Sequence, residues 1–266
     1  MGVITKIAIQ QKRVDRYNID IDGQYAFSAD EAVLIEFNLK KGQTLTEEDI
    51  ARIGLRDGVQ RGVNTAINFL SMRMRSEKEV RDYLKKKEID QEAHEEIMER
   101  LGAMGYLNDE QFADAYIKTQ IQTTEKGPAV ILRELKEKGI RDDTAASLME
   151  QFTVEAQVEK AGVLFEKALK KYKKDSAFLQ QKKAEQLILT KGYSAAVMKK
   201  AANALEPDEE AEQEALMHQA EKAHRRYRAL EAREYRQKMK TALYRKGFDL
   251  TDIDRAINRL LEEEER

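Results

Sequence analysis

The stretch "ELKEKGI" (residues 134–140) closes an amphipathic run with a Lys, a Gly and a large apolar residue. The chain writes that ending four times: "KKKEI" (85–89), "KEKGI" (136–140), "LTKGY" (189–193) and "YRKGF" (244–248). Taking the final apolar residue as origin, the copies stand at Ile89, Ile140, Tyr193 and Phe248, which lie 51, 53 and 55 residues apart. Two residues before each origin is Lys87, Lys138, Lys191 or Lys246. Five before it is Leu84, Leu135, Ile188 or Leu243, and nine before it Val80, Ile131, Ala184 or Met239. Eight after it come Ile97, Leu148, Ala201 and Ala256, and twelve after it Leu101, Phe152, Leu205 and Leu260. Six aligned positions in four copies define a tandem repeat.

Each copy reads as three helices. The middle one is the run that ends at Lys-Gly, and positions −9 and −5 share one of its faces. Positions +8 and +12 do the same on the third helix, so both stripes face a common core. The first helix is long. In copies three and four it is expected to exceed twenty residues, over "VEAQVEKAGVLFEKALKKYKKD" and "DEEAEQEALMHQAEKAHRRYRALEAREYRQ". Capping signals agree: "SEKE" (76–79) is a capping box, and Pro128 suits a first helical position. Gly139, Gly192 and Gly247 stand where a helix ends in the left-handed conformation. The Lys before each favours the negative end of the helix dipole. Copy one departs, with Glu88 in place of Gly, which predicts a looser helix end or a different turn. The stop itself reads as a structural device, a binding site, or both.

The first residues follow another period. "ITKIAIQ" and "RYNIDID" alternate in steps of two, the mark of half-buried strands. Asp22-Gly23 supplies a tight hairpin turn. Two or three antiparallel strands are expected near 3–10, 16–22 and 24–28, then a short helix over 29–38, a loop over 40–44, and a helix capped by Thr46 with Asp49 three residues on. This segment is either a small β-rich cap on a helical body or a dedicated binding arm, since a free hairpin edge is also a docking surface. The architecture predicted is mainly α: tandem three-helix repeats in an extended curved row behind a small N-terminal antiparallel β-hairpin segment. The divisions are 1–56 for that segment, then 57–107, 108–152, 153–206 and 207–266 for the four repeats.

Composition supports long solvated helices. Of 266 residues, 41% are hydrophobic and 36% charged, the latter well above the ~25% usual for soluble domains. There are two prolines and no tryptophan. The absence of cysteine excludes disulfides, zinc thiolate sites and thiol catalysis. No apolar run approaches the ~20 residues of a membrane helix. The start lacks a signal-peptide core, and Lys6 stands where a myristoylation motif needs Ser or Thr. A cytoplasmic protein is expected. His94, His218 and His224 form no ligand pair at helical spacing, no glycine-rich phosphate loop is present, and no nucleophile–base pair appears. No catalytic, cofactor or metal site is expected, and hence no enzyme.

Charge is patterned, although the net charge is only −2. Between residues 160 and 191 there are nine Lys against three carboxylates, and between 222 and 246 ten basic residues against two. Tyr172, Tyr227, Tyr235 and Tyr244 are interleaved, and "EPDEEAEQE" separates the blocks. Such runs are either solvated helix faces or phosphate contacts with a steep salt dependence. "MRMRSEKEVR" (72–81) is a third basic candidate.

Three linked motifs, "RSEKEVRDYLKKKEI" (75–89), "LGAMGYLNDEQFADAYI" (101–117) and "KGPAVILRELKEKGI" (126–140), resemble the RecX family of recombination regulators. The match is dense from 75 to 140, and the later copies with the N-terminal strands look like the longer form found in Gram-positive bacteria. The resemblance implies a non-enzymatic modulator of the RecA recombinase, acting in homologous recombination and DNA repair. Such a protein binds the groove of the RecA–single-stranded-DNA filament, suppresses its ATPase and strand exchange, and favours its disassembly or blocks its extension. It implies the RecA filament as partner, single-stranded DNA bound directly or through the filament, no membrane, no cofactor, and a monomeric chain. Candidate filament or DNA contacts are Arg73, Arg75, Lys78, Arg81, Lys126, Arg133, Lys138, Lys170, Lys171, Lys174, Arg225, Arg226 and Arg228. The rival readings are a stand-alone helical nucleic-acid-binding protein and a general helical-repeat interaction scaffold.

Overall fold

The computed structural model describes residues 1–11, 13–203 and 208–264. They fall into two compact units, Met1–Tyr116 with Leu135–Ala145, and Ile117–Glu134 with Ala146–Arg266.

The first unit opens with an antiparallel sheet, β1 (Gly2–Gln10), β2 (Arg13–Ile21), β3 (Gln24–Asp30) and β4 (Thr44–Leu45), in the order β3-β2-β1-β4. Asp22 and Gly23 both take positive φ, 50° and 85°, as a two-residue hairpin turn demands. The fourth strand was not expected, because the sequence reads 40–44 as a loop. It forms because the Ile4 amide donates to the Gln43 carbonyl (2.9 Å) and the Ile4 carbonyl accepts from the Gly42 amide (2.8 Å), which draws Thr44 and Leu45 onto β1. A short helix, α1 (Glu31–Glu36), capped by Asp30, covers the sheet. Ile4, Ile19, Ala29, Val33, Leu39, Leu45 and Ile53 form this core.

Helix α2 (Glu47–Leu70) starts on the Thr46–Asp49 capping box that the sequence shows. Its first half contributes Ile53 to the sheet core. Its second half contributes Val59, Val63 and Ala66 to a separate core with Val80 and Leu84 of α3 (Glu77–Lys86) and Ile97, Met98 and Leu101 of α4 (His94–Ala103). The proposed division after residue 56 therefore falls inside one helix, which serves both the N-terminal segment and the first three-helix group.

Helices α5 (Asp109–Thr123), α6 (Pro128–Glu137) and α7 (Asp142–Met149) each have residues in both units. In the second unit α8 (Val154–Lys171) packs on α9 (Ala177–Thr190) and α10 (Ala195–Asn203). Helix α11 (Glu209–Tyr227) packs on α12 (Ala232–Tyr244) and α13 (Leu250–Glu264) around Leu216, Ala220, Met239, Leu243, Ile253 and Ile257.

The repeat positions behave as their spacing requires. Every residue at −9 and −5 is buried in all four copies. At +8 and +12, Ile97, Leu101, Phe152, Ala201, Ala256 and Leu260 are buried. Leu148 is half-buried beside the buried Met149, and Leu205 lies outside the described residues. Three expectations need correction. The long basic stretch of copy four is not one helix, because α11 ends at Tyr227 and α12 begins at Ala232. The chain reverses there so that Met239 and Leu243 return to Leu216 and Ala220. Helices α8 and α11 have 18 and 19 residues, fewer than the twenty expected. The turn at Glu88 is not different either. Glu88 takes φ 56°, and the Ile89 amide reaches the Leu84 carbonyl (3.2 Å) as the Ile140 amide reaches that of Leu135 (3.0 Å). A side chain in that conformation costs roughly 1–2 kcal/mol.

Candidate partner and nucleic-acid interface

Each glycine stop does more than end its own helix. In the first unit, Lys138-Gly139 sits against the first turn of α3. The Ser76 hydroxyl, which caps α3 by accepting from the Glu79 amide, donates to the Lys138 carbonyl at 2.7 Å. The second unit repeats the contact twice. Ser176 caps α9 and donates to the Lys246 carbonyl. Before α6 the cap position is Gly127, which has no hydroxyl, so backbone amides take over: Gly127 donates to the Lys191 carbonyl (2.7 Å) and Ala129 to the Gly192 carbonyl (3.1 Å). In all three the acceptor includes the carbonyl of the Lys two residues before the origin. A helix start leaves amides unpaired and a helix end leaves carbonyls unpaired. Joining them satisfies both and sets opposite ends of two helix dipoles together.

A carboxylate from the next copy completes two of these junctions. Asp109 accepts from the Glu77 amide (2.8 Å), and Glu212 from the Ala177 amide (2.6 Å). Burial pushes both carboxyls up. The glycines are needed for space as well as for φ. A Cβ would come within 2.8 Å of Lys78 at Gly139, 2.7 Å of the Val130 nitrogen at Gly192, and 2.8 Å of the Phe178 ring at Gly247.

These junctions hold several of the candidate cations. Lys138 Nζ lies 3.0 Å from Glu79 and faces the Phe112 and Tyr116 rings. Burial pushes the Glu79 carboxyl up. Bonds from Lys138 and the Ser76 amide, with the charges of Lys138 and Arg73, outweigh it and hold the group below its ordinary value. Arg73 lies 3.3 Å from Glu79, and Lys78 Nζ donates to the Glu137 carbonyl (2.6 Å). Arg81 grips Glu95 with both terminal nitrogens (2.6 and 3.2 Å), and Lys126 pairs with Glu134 at 2.7 Å. Arg75 stacks on Phe69 (4.1 Å), which stacks on Tyr83 (3.9 Å), and its Nε is buried without a hydrogen-bond partner. Burial, then the charge of Arg73, lowers its pKa.

The other candidates are differently placed. Arg133, Lys170, Lys171, Lys174, Arg225, Arg226 and Arg228 are all exposed, and none has a side-chain ion pair among the described residues. Lys171 rests on the Tyr172 ring and Arg226 on that of Tyr227. The second unit brings two basic blocks together. Gln219 of α11 donates to the Lys174 carbonyl in the turn after α8. Lys222 and Arg226 follow Gln219 at spacings three and seven, on the same side of α11. Arg225, Arg226 and Arg228 then surround the turn into α12. Lys173, Lys222 and Arg233, absent from the sequence-derived candidates, are also exposed and unpaired among the described residues. Their signal was in the charge runs, which do not show which lysines a neighbouring carboxylate will take. Ser76 and Ser176 could be recognised as caps, but their second bond, to a carbonyl 62 or 70 residues away, has no local signature.

Tandem three-helix domains behind a small N-terminal sheet define a class of mainly helical protein. Four family models match the chain: the "Regulatory protein RecX N-terminal domain" over 2–46, and the first, second and third three-helix domains of RecX over 63–101, 108–149 and 210–257. The chain is 46% identical over 267 residues to the "Regulatory protein RecX" of Bacillus velezensis (strain DSM 23117 / BGSC 10A6 / LMG 26770 / FZB42) and to that of Bacillus subtilis (strain 168), covering 100% of each chain. It is 44% identical to that of Listeria innocua serovar 6a (strain ATCC BAA-680 / CLIP 11262), over 94% of both chains. A crystal structure of regulatory protein RecX superposes with a TM-score of 0.69 at 34% identity, covering 76% of this chain and 100% of that one. RecX from Lactobacillus salivarius gives 0.54 at 36% identity, over 56% of this chain and 97% of that one. The chain belongs to the RecX family of regulatory proteins. The four family matches leave 150–209, with all of copy three, between the second and third three-helix domains.

Proposed function

We propose that this protein regulates homologous recombination and DNA repair by binding the RecA–single-stranded-DNA filament and lowering its ATP hydrolysis and strand exchange. Family membership supports the regulatory role. The observation on this chain that carries the binding step is the exposed set of cations in the second unit, where Lys170, Lys171 and Lys174 are brought beside α11 and Arg225, Arg226 and Arg228 follow. Phosphate or acidic protein surface would release counterions from such a set, and many weak contacts add through effective concentration. Among the described residues no helix is long and apolar enough to cross a membrane. Arg133 extends the set, whereas Arg73, Arg75, Lys78, Arg81, Lys126 and Lys138 act mainly inside the fold and contribute less. The test is RecA ATPase on single-stranded DNA, titrated with this protein: inhibition near stoichiometric amounts is expected. No inhibition, with tight binding to naked DNA, would favour a nucleic-acid-binding protein acting alone. Binding to neither would favour a general interaction scaffold.

A further inference from the structure

The junction described above has two halves, and the chain carries one unused half of each kind. The glycine stops of copies two, three and four each fill a helix start in the preceding copy. The stop of copy one, Lys87-Glu88-Ile89, fills none: Lys87 and Glu88 are exposed, Ile89 is only half-buried, and the Lys87 carbonyl receives no donor from another copy among the described residues. At the other end, the start of α12 is filled by no stop among the described residues. Its cap residue Glu231 makes no side-chain capping bond, and Ala232, Arg233 and Glu234 are exposed. Head-to-tail docking of a second chain would join these halves by the contact the chain already makes three times.

Both halves depart from the docking pattern. Glu88 has the left-handed backbone of a stop, but it carries a Cβ where Gly139, Gly192 and Gly247 have none. At those glycines a Cβ would meet the opposing helix start at 2.7–2.8 Å. Glu231 replaces the Ser that donates to the Lys carbonyl in two of the three junctions, and its charge opposes an incoming carbonyl. A third feature lies on the first helix of copy one. The carboxylates Asp109 and Glu212 stand 31 and 36 residues before their origins. The nearest counterpart in copy one is Asp57, 32 before its own. Asp57 is already taken, by Arg16 at 2.7 Å and by the Asp30 amide at 2.8 Å. The N-terminal sheet segment thus holds the group that would complete a further junction.

We propose that Glu88, with Glu231 opposite, closes the repeat-to-repeat interface against a second copy of this chain, so that the row of junctions ends within one molecule. The N-terminal segment seated on Asp57 serves as the cap that tandem repeats need at an end. A heterologous contact of this kind does not close on itself, and an open stop would invite chains of indefinite length. The proposal stands apart from the recombinase reading and does not depend on it.

The experiment compares four full-length proteins by sedimentation velocity over a concentration series: wild type, E88G/E231S, E88A/E231S and E88G/E231W. Glycine at 88 suits the existing backbone, so these variants are expected to fold with wild-type helicity. E88G/E231S is expected to associate, with its weight-average mass rising about twofold or more as concentration increases. E88A/E231S loses both charges but keeps a Cβ, and should stay at the wild-type mass, as should E88G/E231W, whose socket is blocked. An E88G/E231S protein that sediments as wild type at every concentration would overturn the proposal. So would equal association of E88A/E231S, or of E88G/E231W, which would mean that the contact lies elsewhere.

Discussion

Arg73, Arg81, Lys126 and Lys138 stand among the same sequence-derived candidates as Lys170, Lys174, Arg225 and Arg228. In the fold, the first four each lie against a carboxylate, and the last four against none among the described residues. The difference comes from where acids fall. Around the first two stops, Glu79 and Glu95 in the first turns of α3 and α4, and Glu134 further along α6, each face a cation, as Glu79 faces Lys138. In the later copies the acids are gathered into blocks such as 208–214, and the basic ends of α8 and α11 are left to solvent. A lysine run therefore reports on a partner only after internal carboxylates have taken their share. Counting charge along the chain cannot make that subtraction.

The sharpest way to break this contrast is to reverse one cation in each region. Lys138→Glu would place a carboxylate beside Glu79, in a pair whose side chains are 24% and 19% exposed. It should lower stability by about 2–3 kcal/mol, somewhat less than the breaking of a fully buried pair. Lys174→Glu should stay within about 0.5 kcal/mol, as exposed substitutions do. Urea denaturation of the two variants decides it. Equal losses would mean that the ion pairs around the second stop are ornamental.

The next effect is on binding. Arg225→Glu, Arg226→Glu and Arg228→Glu together should weaken binding to the RecA–DNA filament at least about tenfold and reduce the salt slope by roughly 2, at about 0.7 per lost phosphate contact on a single strand. The midpoint of thermal unfolding should not move. Filament binding that keeps both its affinity and its salt dependence would remove the copy-four patch from the interface.

A smaller effect tests the junctions. Ser76→Ala and Ser176→Ala each remove a cap and the bond to a distant carbonyl, at a cost of about 1–2 kcal/mol. Ser147→Ala, on an exposed position of α7, is the control. Much of this architecture was legible beforehand. The −9 and −5 stripes, the capping box at Ser76, the first-turn Pro128 and the left-handed glycines all follow from local spacing. The fourth strand was not legible, since two residues of β4 pair with Gly2 and Val3 over more than forty positions and carry no period of their own. The break at 228–231 was hidden because "RALEAREY" is good helix sequence, and only the return of Met239 and Leu243 to α11 requires a turn. The junctions were invisible for a like reason. Glycine at a stop already has a local explanation, and nothing in the stretch announces that Val130 or Phe178 also needs the room.

Acid acts in opposite senses on two carboxyls at one helix start. Glu79 is held below its ordinary value, so its contribution is fully present above pH about 4.5 and is lost as pH falls through the lower, folded value. Asp109, at the same start of α3, is pushed up, chiefly by burial and also by Glu79, against the bond from the Glu77 amide. Its protonation favours the folded state, so it partly offsets the loss. Between pH about 5 and 3, Glu79→Gln should therefore flatten the fall in urea midpoint, and Asp109→Asn should steepen it. In the second unit, Glu212 is likewise raised by burial, so Glu212→Gln should steepen the fall as well. If Glu79→Gln leaves the profile unchanged, Lys138 holds no ionised partner in solution. That cation would then belong with those of the later copies, available to the filament.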